Sequence, residues 1–359
     1  MLFIKRVELD YILNKGISSF NLIDARAPIE FKEDHIPTSI NIPLLNDEER
    51  SIVGTIYKQK GSSEAKLKAV DLVSPKLPDI IRKIKKAIEN GKETIIYCWR
   101  GGDRSETMAA LAKLAGLNVN KLTGGYKVFR KHVFNFFNER LANNYKPILI
   151  ILYGPTGSAK TKILQELENI NYPVLNIENC ACHKGSSFGF IGEPEFENIT
   201  QKKFESKLWY SFYKNKFPNY LITEGESKKI GKVTIPDSLF KLFKNGISIL
   251  MEPSFEFRVN YTLKTYLPYT DKSSVLTALN HIKKYLGTKN VELLFNYFEK
   301  KHFYDFVNLL LKNYYDPLYK KSFPKKVDYK VSYNSIDEGV KSVKEIIDLY
   351  LFSTNTANF

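Results

Sequence analysis

The chain has 359 residues, the length of about two domains. Its 43% hydrophobic and 26% charged content is that of an ordinary globular protein and excludes a disordered or fibrous one. A net charge of +15 fits a polyanionic partner such as nucleic acid; equally, only nine of the 54 basic residues are Arg, so a compositional drift toward Lys accounts for the same charge.

The N-terminus, Met1-Leu2-Phe3-Ile4-Lys5-Arg6, puts apolar residues before basic ones and carries no cleavage site, so no secretory signal is read there. No apolar run approaches the roughly 18 residues of a membrane span. The expected location is the cytoplasm. Three cysteines, Cys98, Cys180 and Cys182, are too few for a disulfide framework in a chain of this size.

Strands are predicted at residues 20–23 and 94–97, each ending in a polar segment. Leu77, Ile80, Ile81, Ile84, Ala87 and Ile88 predict a helix over 77–90 that stops at Gly91. A further helix starts at about Glu106 and ends before Gly116. Strands alternating with helices indicate an α/β domain with a mainly parallel sheet over residues 1–135. A helix over 126–146 carries Val128, Phe129, Val133, Phe136 and Phe137 at helical spacing, and residues 136–146 are expected to connect to a second domain, 147–359.

Between the second of those strands and its helix lies Cys98-Trp99-Arg100-Gly101-Gly102-Asp103-Arg104-Ser105. A cysteine there faces loop N–H groups and a helix N-terminus, which favour a thiolate. Arg104 can return to hold a tetrahedral anion, with Arg100 as a second cation. Cys98 is therefore the candidate nucleophile, with Arg100 and Arg104 beside it.

A strand over 148–153 opens the second domain and runs into Gly154-Pro155-Thr156-Gly157-Ser158-Ala159-Lys160-Thr161, followed by a helix with Ile163, Leu164 and Leu167 on one face. This is a Walker A arrangement. Loop amides from Gly154 through Gly157, Ser158 and Ala159 cradle phosphate, Lys160 supplies charge and Thr161 can reach a metal. Ala159 stands where the pattern has its second glycine, and its methyl group is accommodated if the backbone there stays right-handed. His183 and Lys184, ahead of a Gly-Ser-Ser run, are candidates for an anion-binding loop opposite the cradle. Cys180, Cys182 and His183 lack a fourth ligand for structural zinc, and no metal site is expected. Glu224, ending the apolar run 220–223, and Glu226 could position Mg²⁺. Beyond about residue 255 the chain reads as helical, with Phe and Tyr at core spacing.

Asp24-Ala25-Arg26-Ala27-Pro28-Ile29-Glu30-Phe31, His35-Ile36-Pro37 and Leu122-Thr123-Gly124-Gly125-Tyr126 resemble signatures of the rhodanese domain. That resemblance implies that Cys98 carries transferred sulfur or selenium, with Asp24, Arg26, Glu30 and His35 as scaffold. The Cys-x5-Arg loop is longer than that of many rhodaneses and is the length used by thiol phosphatases. A rhodanese-like half joined to a P-loop half resembles the bacterial tRNA 2-selenouridine synthase family. Glu224-Gly225-Glu226-Ser227-Lys228 and Tyr315-Asp316-Pro317-Leu318-Tyr319 are similar as well. The resemblance implies tRNA carrying wobble 2-thiouridine as partner, S-geranylation with geranyl diphosphate, then selenium transfer from selenophosphate. Both donors would be co-substrates, with no tightly bound cofactor and Mg²⁺ as a possible companion. It also implies phosphate binding by Lys160 and Thr161, and selenium carriage by Cys98. Lys184 departs from the family pattern, where an Arg is expected, and so does Cys182. Two alternatives stay open: a persulfide carrier with a nucleotide-sensing P-loop domain, and a Cys-dependent phosphatase fused to an NTP-binding domain.

Overall fold

The computed structural model describes residues 4–88, 90–322, 324 and 326–356. They form two compact units, one running to Phe136 and including Glu205–Lys207, the other comprising Phe137–Phe204 and Leu208 onward. Residues 137–146, expected to connect two domains, thus group with the second unit. The helix expected over 126–146 is an α-helix, Gly125–Asn135, continued by a π-helical stretch, Phe136–Asn144.

The first unit is built on five parallel strands, β1 (Arg6–Val7), β2 (Phe20–Asp24), β3 (Ile40–Asn41), β4 (Glu93–Tyr97) and β5 (Val119–Leu122), in the order β1-β5-β4-β2-β3. The central strands read as continuous apolar runs because a parallel sheet is covered on both faces. Ile23 and Ile96 pack with Ile84 of the helix Leu77–Ile88 and with Met108, Ala109 and Ala112 of the helix Asp103–Leu114. Register pairs Asp24 with Tyr97, so the carboxyl ends of β2 and β4 finish together. Ligand sites of parallel sheets lie beyond such ends. Asp24 and Arg26 are a buried ion pair at this edge: Arg26 Nη2 donates to Asp24 Oδ2 (2.7 Å) and to the Asp34 carbonyl (2.7 Å), and its guanidinium lies 3.9 Å from the Tyr126 ring centroid.

The second unit holds a parallel sheet of β6 (Ile148–Tyr153), β7 (Val174–Leu175), β8 (Tyr220–Glu224), β11 (Ile247–Pro253) and β12 (Tyr329–Tyr333), ordered β12-β11-β6-β8-β7. A short hairpin, β9 (Lys229–Ile230) and β10 (Val233–Thr234), stands apart from it. Ile163, Leu164 and Leu167 of the helix Lys160–Asn169, with Val343 and Ile347 of the helix Ile336–Thr356, complete this core. β12 corrects the expectation that everything past residue 255 is helical. It is a five-residue edge strand in a Lys-rich stretch, with only Val331 and Tyr333 buried, too short for its alternation to stand out. Between β11 and β12 the helices Phe255–Tyr266, Lys272–Leu286, Thr288–Glu299 and Phe303–Leu310 pack around a separate aromatic core. Among the described residues no helix is long and apolar enough to cross a membrane.

Candidate functional site

Cys98 follows β4 directly, and the helix Asp103–Leu114 opens five residues later. The residue is buried, with Sγ 3.2 Å from Ser105 Oγ and 3.8 Å from the Gly102 carbonyl. The loop is fixed by backbone: the Tyr126 N–H donates to the Cys98 carbonyl (2.8 Å) and the Lys127 N–H to that of Trp99 (2.9 Å). This approach requires glycine on both sides. Gly125, at φ +60°, would place a Cβ 2.2 Å from the Cys98 carbonyl oxygen, and Gly101, at φ +64°, one 2.8 Å from that of Leu122. Arg100 is exposed at the loop. Arg104 is held by Glu30, with Nη1 donating to Oε2 (2.5 Å) and Nη2 to Oε1 (3.3 Å). Burial would raise the Glu30 pKa, but the Arg104 hydrogen bond and charge outweigh it and hold the carboxyl below its usual range. The expected anion clamp is therefore, in this arrangement, a structural tie to the helix Pro28–Glu33. His35 lies flat on Phe31, ring centroids 3.9 Å apart, as scaffold.

The second loop joins β6 to the helix that starts at Lys160. Ala159 has φ +55° and ψ 22°, so the right-handed backbone that would accommodate its methyl group is not what forms. The chain must reverse hand to enter the helix, which explains why glycine suits the position; a left-handed alanine costs about 1–2 kcal/mol. Lys160 folds over the loop, its Nζ donating to the Gly154 carbonyl (2.9 Å) and lying 3.4 Å from Ser158 Oγ. Gly157, at φ +83°, faces Thr262, whose Oγ1 would sit 2.7 Å from an added Cβ. A cavity opens over Gly157, Ser158, Ala159, Lys160 and Thr161.

Carboxyl groups converge beneath Lys160. Thr161 Oγ1 donates to Glu178 Oε2, and the Glu178 N–H donates to Glu224 Oε1 (2.6 Å). Glu224 is fully buried at the end of β8, and its Oε2 has no hydrogen-bond partner. Burial first, and then the Glu178 charge, push its pKa up to about 8; Glu226 is raised by the same two causes. Gly185, at φ +64°, stands against this pair: an added Cβ would lie 2.6 Å from Glu178 Oε1 and 2.7 Å from Glu226 Oε1. Lys184 borders the cradle, but its Nζ already donates to the Ile191 carbonyl (2.6 Å) and pairs with Glu193 (3.2 Å). His183 packs its ring against Gly189, Gly231 and Phe196. Its Nδ1 accepts the Gly185 N–H (3.2 Å), and burial with the Lys184 charge pushes its pKa down to about 4.

Several residues at this site carry no sequence motif of their own. Arg258 is buried, donates from Nε to the Thr156 carbonyl (2.9 Å) and grips Asp316 through both terminal nitrogens (3.1 and 2.5 Å), bracing the loop from outside. As the one Arg after residue 140, it could have been noticed. Glu178 and Thr262 gave no such signal, because only the fold brings them to the cradle. Cys180 and Cys182 are buried near Ser211 Oγ (3.9 Å) and Glu195 Oε2 (3.8 Å) respectively.

Comparison with known proteins agrees with this two-part build. Residues 8–132 match the rhodanese-like domain family, and residues 147–346 match the family described as the tRNA 2-selenouridine synthase AAA domain. The chain is 37% identical over 254 residues to a tRNA 2-selenouridine synthase from Nitrosomonas eutropha, a match spanning 69% of this chain and 63% of that one, somewhat under two thirds of the relative's length. It is 32% identical over 353 residues to the enzyme of that name from Hydrogenovibrio crunogenus, covering 90% of this chain and 95% of the other, and 31% identical over 346 residues to that of a Sulfurovum species, covering 88% and 89%. The chain belongs to the tRNA 2-selenouridine synthase family.

Proposed function

We propose that this enzyme converts the wobble 2-thiouridine of tRNA to 2-selenouridine in two stages, S-geranylation followed by selenium transfer. The observation that supports the reading is the presence in one chain of two strand–loop–helix turns of different chemistry, a thiol loop after β4 and a lysine-bearing glycine loop after β6. In the first stage the phosphate loop holds geranyl diphosphate. The thiocarbonyl sulfur attacks C1 of the geranyl group, the C1–O bond breaks, diphosphate leaves, and the N3 proton of the base is lost to solvent or a carboxylate. Lys160 and the loop amides stabilise the charge that grows on the departing diphosphate. Alkylation makes C2 more electrophilic and turns sulfur into a better leaving group. In the second stage selenophosphate sits at the Cys98 loop with Arg100 beside it: its selenium adds to C2, geranylthiol departs with a proton from solvent, and water cleaves the Se–P bond to release phosphate, so selenium stays at the selenide level and N3 regains its proton.

Mg²⁺ fits the hard oxygens of Thr161, Glu178 and the unpartnered Glu224 Oε2. Among the described residues no group of three or more His, Cys, Asp or Glu is arranged to hold a metal alone, so the ion would enter with the diphosphate and offset its charge. The net charge of +15 supplies attraction to the tRNA backbone. The test is incubation of purified protein with 2-thiouridine-containing tRNA, geranyl diphosphate and selenophosphate, with nucleosides resolved by mass spectrometry. S-geranyl-2-thiouridine should appear without selenophosphate and be consumed when it is added. Absence of both products overturns the reading; selenouridine formed without geranyl diphosphate overturns its order of steps.

A further inference from the structure

The residue after Cys98 is one of two tryptophans in the chain, and the two differ in exposure: Trp209 is fully buried, whereas Trp99 is half-buried. The indole of Trp99 is braced from within. The Tyr126 ring lies 5.3 Å away, centroid to centroid, the Arg26 guanidinium lies 6.0 Å from its centroid, and the Lys127 N–H donates to the Trp99 carbonyl (2.9 Å). A ring held in this way loses little freedom when a flat ligand is laid against the part that faces solvent. The helix Gly125–Asn135, whose first turn makes the backbone contact, carries Lys127, Arg130 and Lys131 and neither Asp nor Glu. Arg130 pairs with Glu205 and the loop's Asp103 with Lys66 (3.3 Å), but Arg100, Lys127 and Lys131 are exposed and have no carboxylate partner among the described residues. Lys127 and Lys131 stand one turn apart, so their like charges repel, and Lys127 lies in the first turn, where the helix dipole opposes a cation. Phe134 continues the same face and is exposed. Both electrostatic costs fall when a polyanion is bound.

We propose that Trp99 is the platform on which the wobble base of the tRNA stacks during selenium transfer, with Arg100, Lys127 and Lys131 following the sugar–phosphate backbone of the anticodon loop. The inference rests on the reading that places selenium transfer at the Cys98 loop, and it adds the surface that receives the RNA there. A base in an unpaired loop has a free π face, and single strands are bound by the combination found here, an aromatic platform flanked by cations. A duplex is disfavoured, because its bases are stacked on one another and offer no face to an indole.

Titration of the full chain with an anticodon stem-loop RNA carrying wobble S-geranyl-2-thiouridine tests this, read by the anisotropy of the labelled RNA and by tryptophan fluorescence. Binding should quench the emission, and Trp99→Phe should abolish that change, because buried Trp209 is out of reach. Trp99→Ala should weaken binding by about tenfold or more, and Trp99→Phe, which keeps a ring, by less than about threefold. A blunt RNA duplex of equal length should bind more weakly and leave the emission unchanged. Lys127→Gln combined with Lys131→Gln should reduce the salt slope of log K by about 1.4, the value for two phosphate contacts on a single strand, while the quench at saturation stays. If Trp99→Ala does not fold, the wild-type emission and the lysine pair still decide. Unchanged emission at saturating RNA, Trp99→Ala binding as tightly as wild type, or an equal response to the duplex overturns the platform, and an unchanged salt slope overturns the backbone track. Selenium transfer to the same RNA separates the two readings: transfer without a Trp99 response overturns the platform alone, and absence of transfer overturns the proposed function.

Discussion

At the loop after β4 Arg104 is tied to Glu30, Arg100 is exposed, and Cys98 rests against a hydroxyl and a carbonyl. At the loop after β6 the cation is drawn inward, with Lys160 over the loop and Glu178, Glu224 and Glu226 gathered below it. The first loop is shaped by backbone contact that only glycine allows. The second is shaped by a balance of buried charge that a bound anion would shift. Two turns of the same topological kind therefore differ in what holds them: one is a fixed backbone frame around a buried sulfur, the other a lysine above a cluster of buried carboxyls.

That contrast is broken most directly by exchanging which stage fails. Cys98→Ala should lower selenouridine formation on the order of 10³-fold or more while leaving S-geranylation intact, and Lys160→Ala should lower S-geranylation by roughly 10²–10³-fold while leaving selenium transfer to pre-geranylated tRNA intact. Equal loss of both products in either folded variant would remove the division of labour. Next in size is the frame of the first loop. Gly125→Ala should destabilise the chain by about 3 kcal/mol, since its Cβ meets the Cys98 carbonyl oxygen and its backbone is left-handed. A denaturant midpoint unchanged from wild type would contradict the backbone account.

A smaller effect tests the charge balance of the second loop. Glu224 keeps its proton in the folded chain up to about pH 8, whereas an unfolded glutamate releases it near pH 4.3. The folded state therefore binds more protons across that interval, and the group's contribution is fully present below about pH 4, falling as pH rises to about 8. Glu224→Gln should remove that fall, so thermal midpoints of variant and wild type should diverge in the variant's favour between those limits. Parallel curves would show that Glu224 is already ionised in the native chain. The smallest change is Ala159→Gly. Relief of left-handed backbone, offset by the greater freedom of unfolded glycine, should stabilise by about 1 kcal/mol or less, whereas Ala159→Val should destabilise. A lower melting temperature for the glycine variant would refute the strain at this turn.

Much of this was legible from residue order. β2, β4 and β6 are apolar runs ending in chemically loaded segments, and both loops, Cys98 through Ser105 and Gly154 through Thr161, could be placed between a strand and a helix from local pattern alone. The partner of each loop residue was not legible. Arg104 looked like an anion clamp because sequence shows its distance from Cys98 along the chain and not Glu30, 74 positions away, which neutralises it. His183 and Lys184 read locally as part of an anion-binding loop because the burial of His183 and the pairing of Lys184 with Glu193 do not appear in a local window. β12 was missed because an edge strand buries only two side chains and leaves almost no periodic signal.

The amino-acid order by itself determined the two parallel α/β units and the positions of the thiol, the lysine and the glycine turns, because strand burial, helix periodicity and turn geometry are short-range consequences of residue type. Tertiary structure alone decided which charges remain available, where the carboxyls gather and which aromatic side chains stay at the surface. Those outcomes depend on desolvation and pairing between segments that lie tens to hundreds of residues apart in the chain.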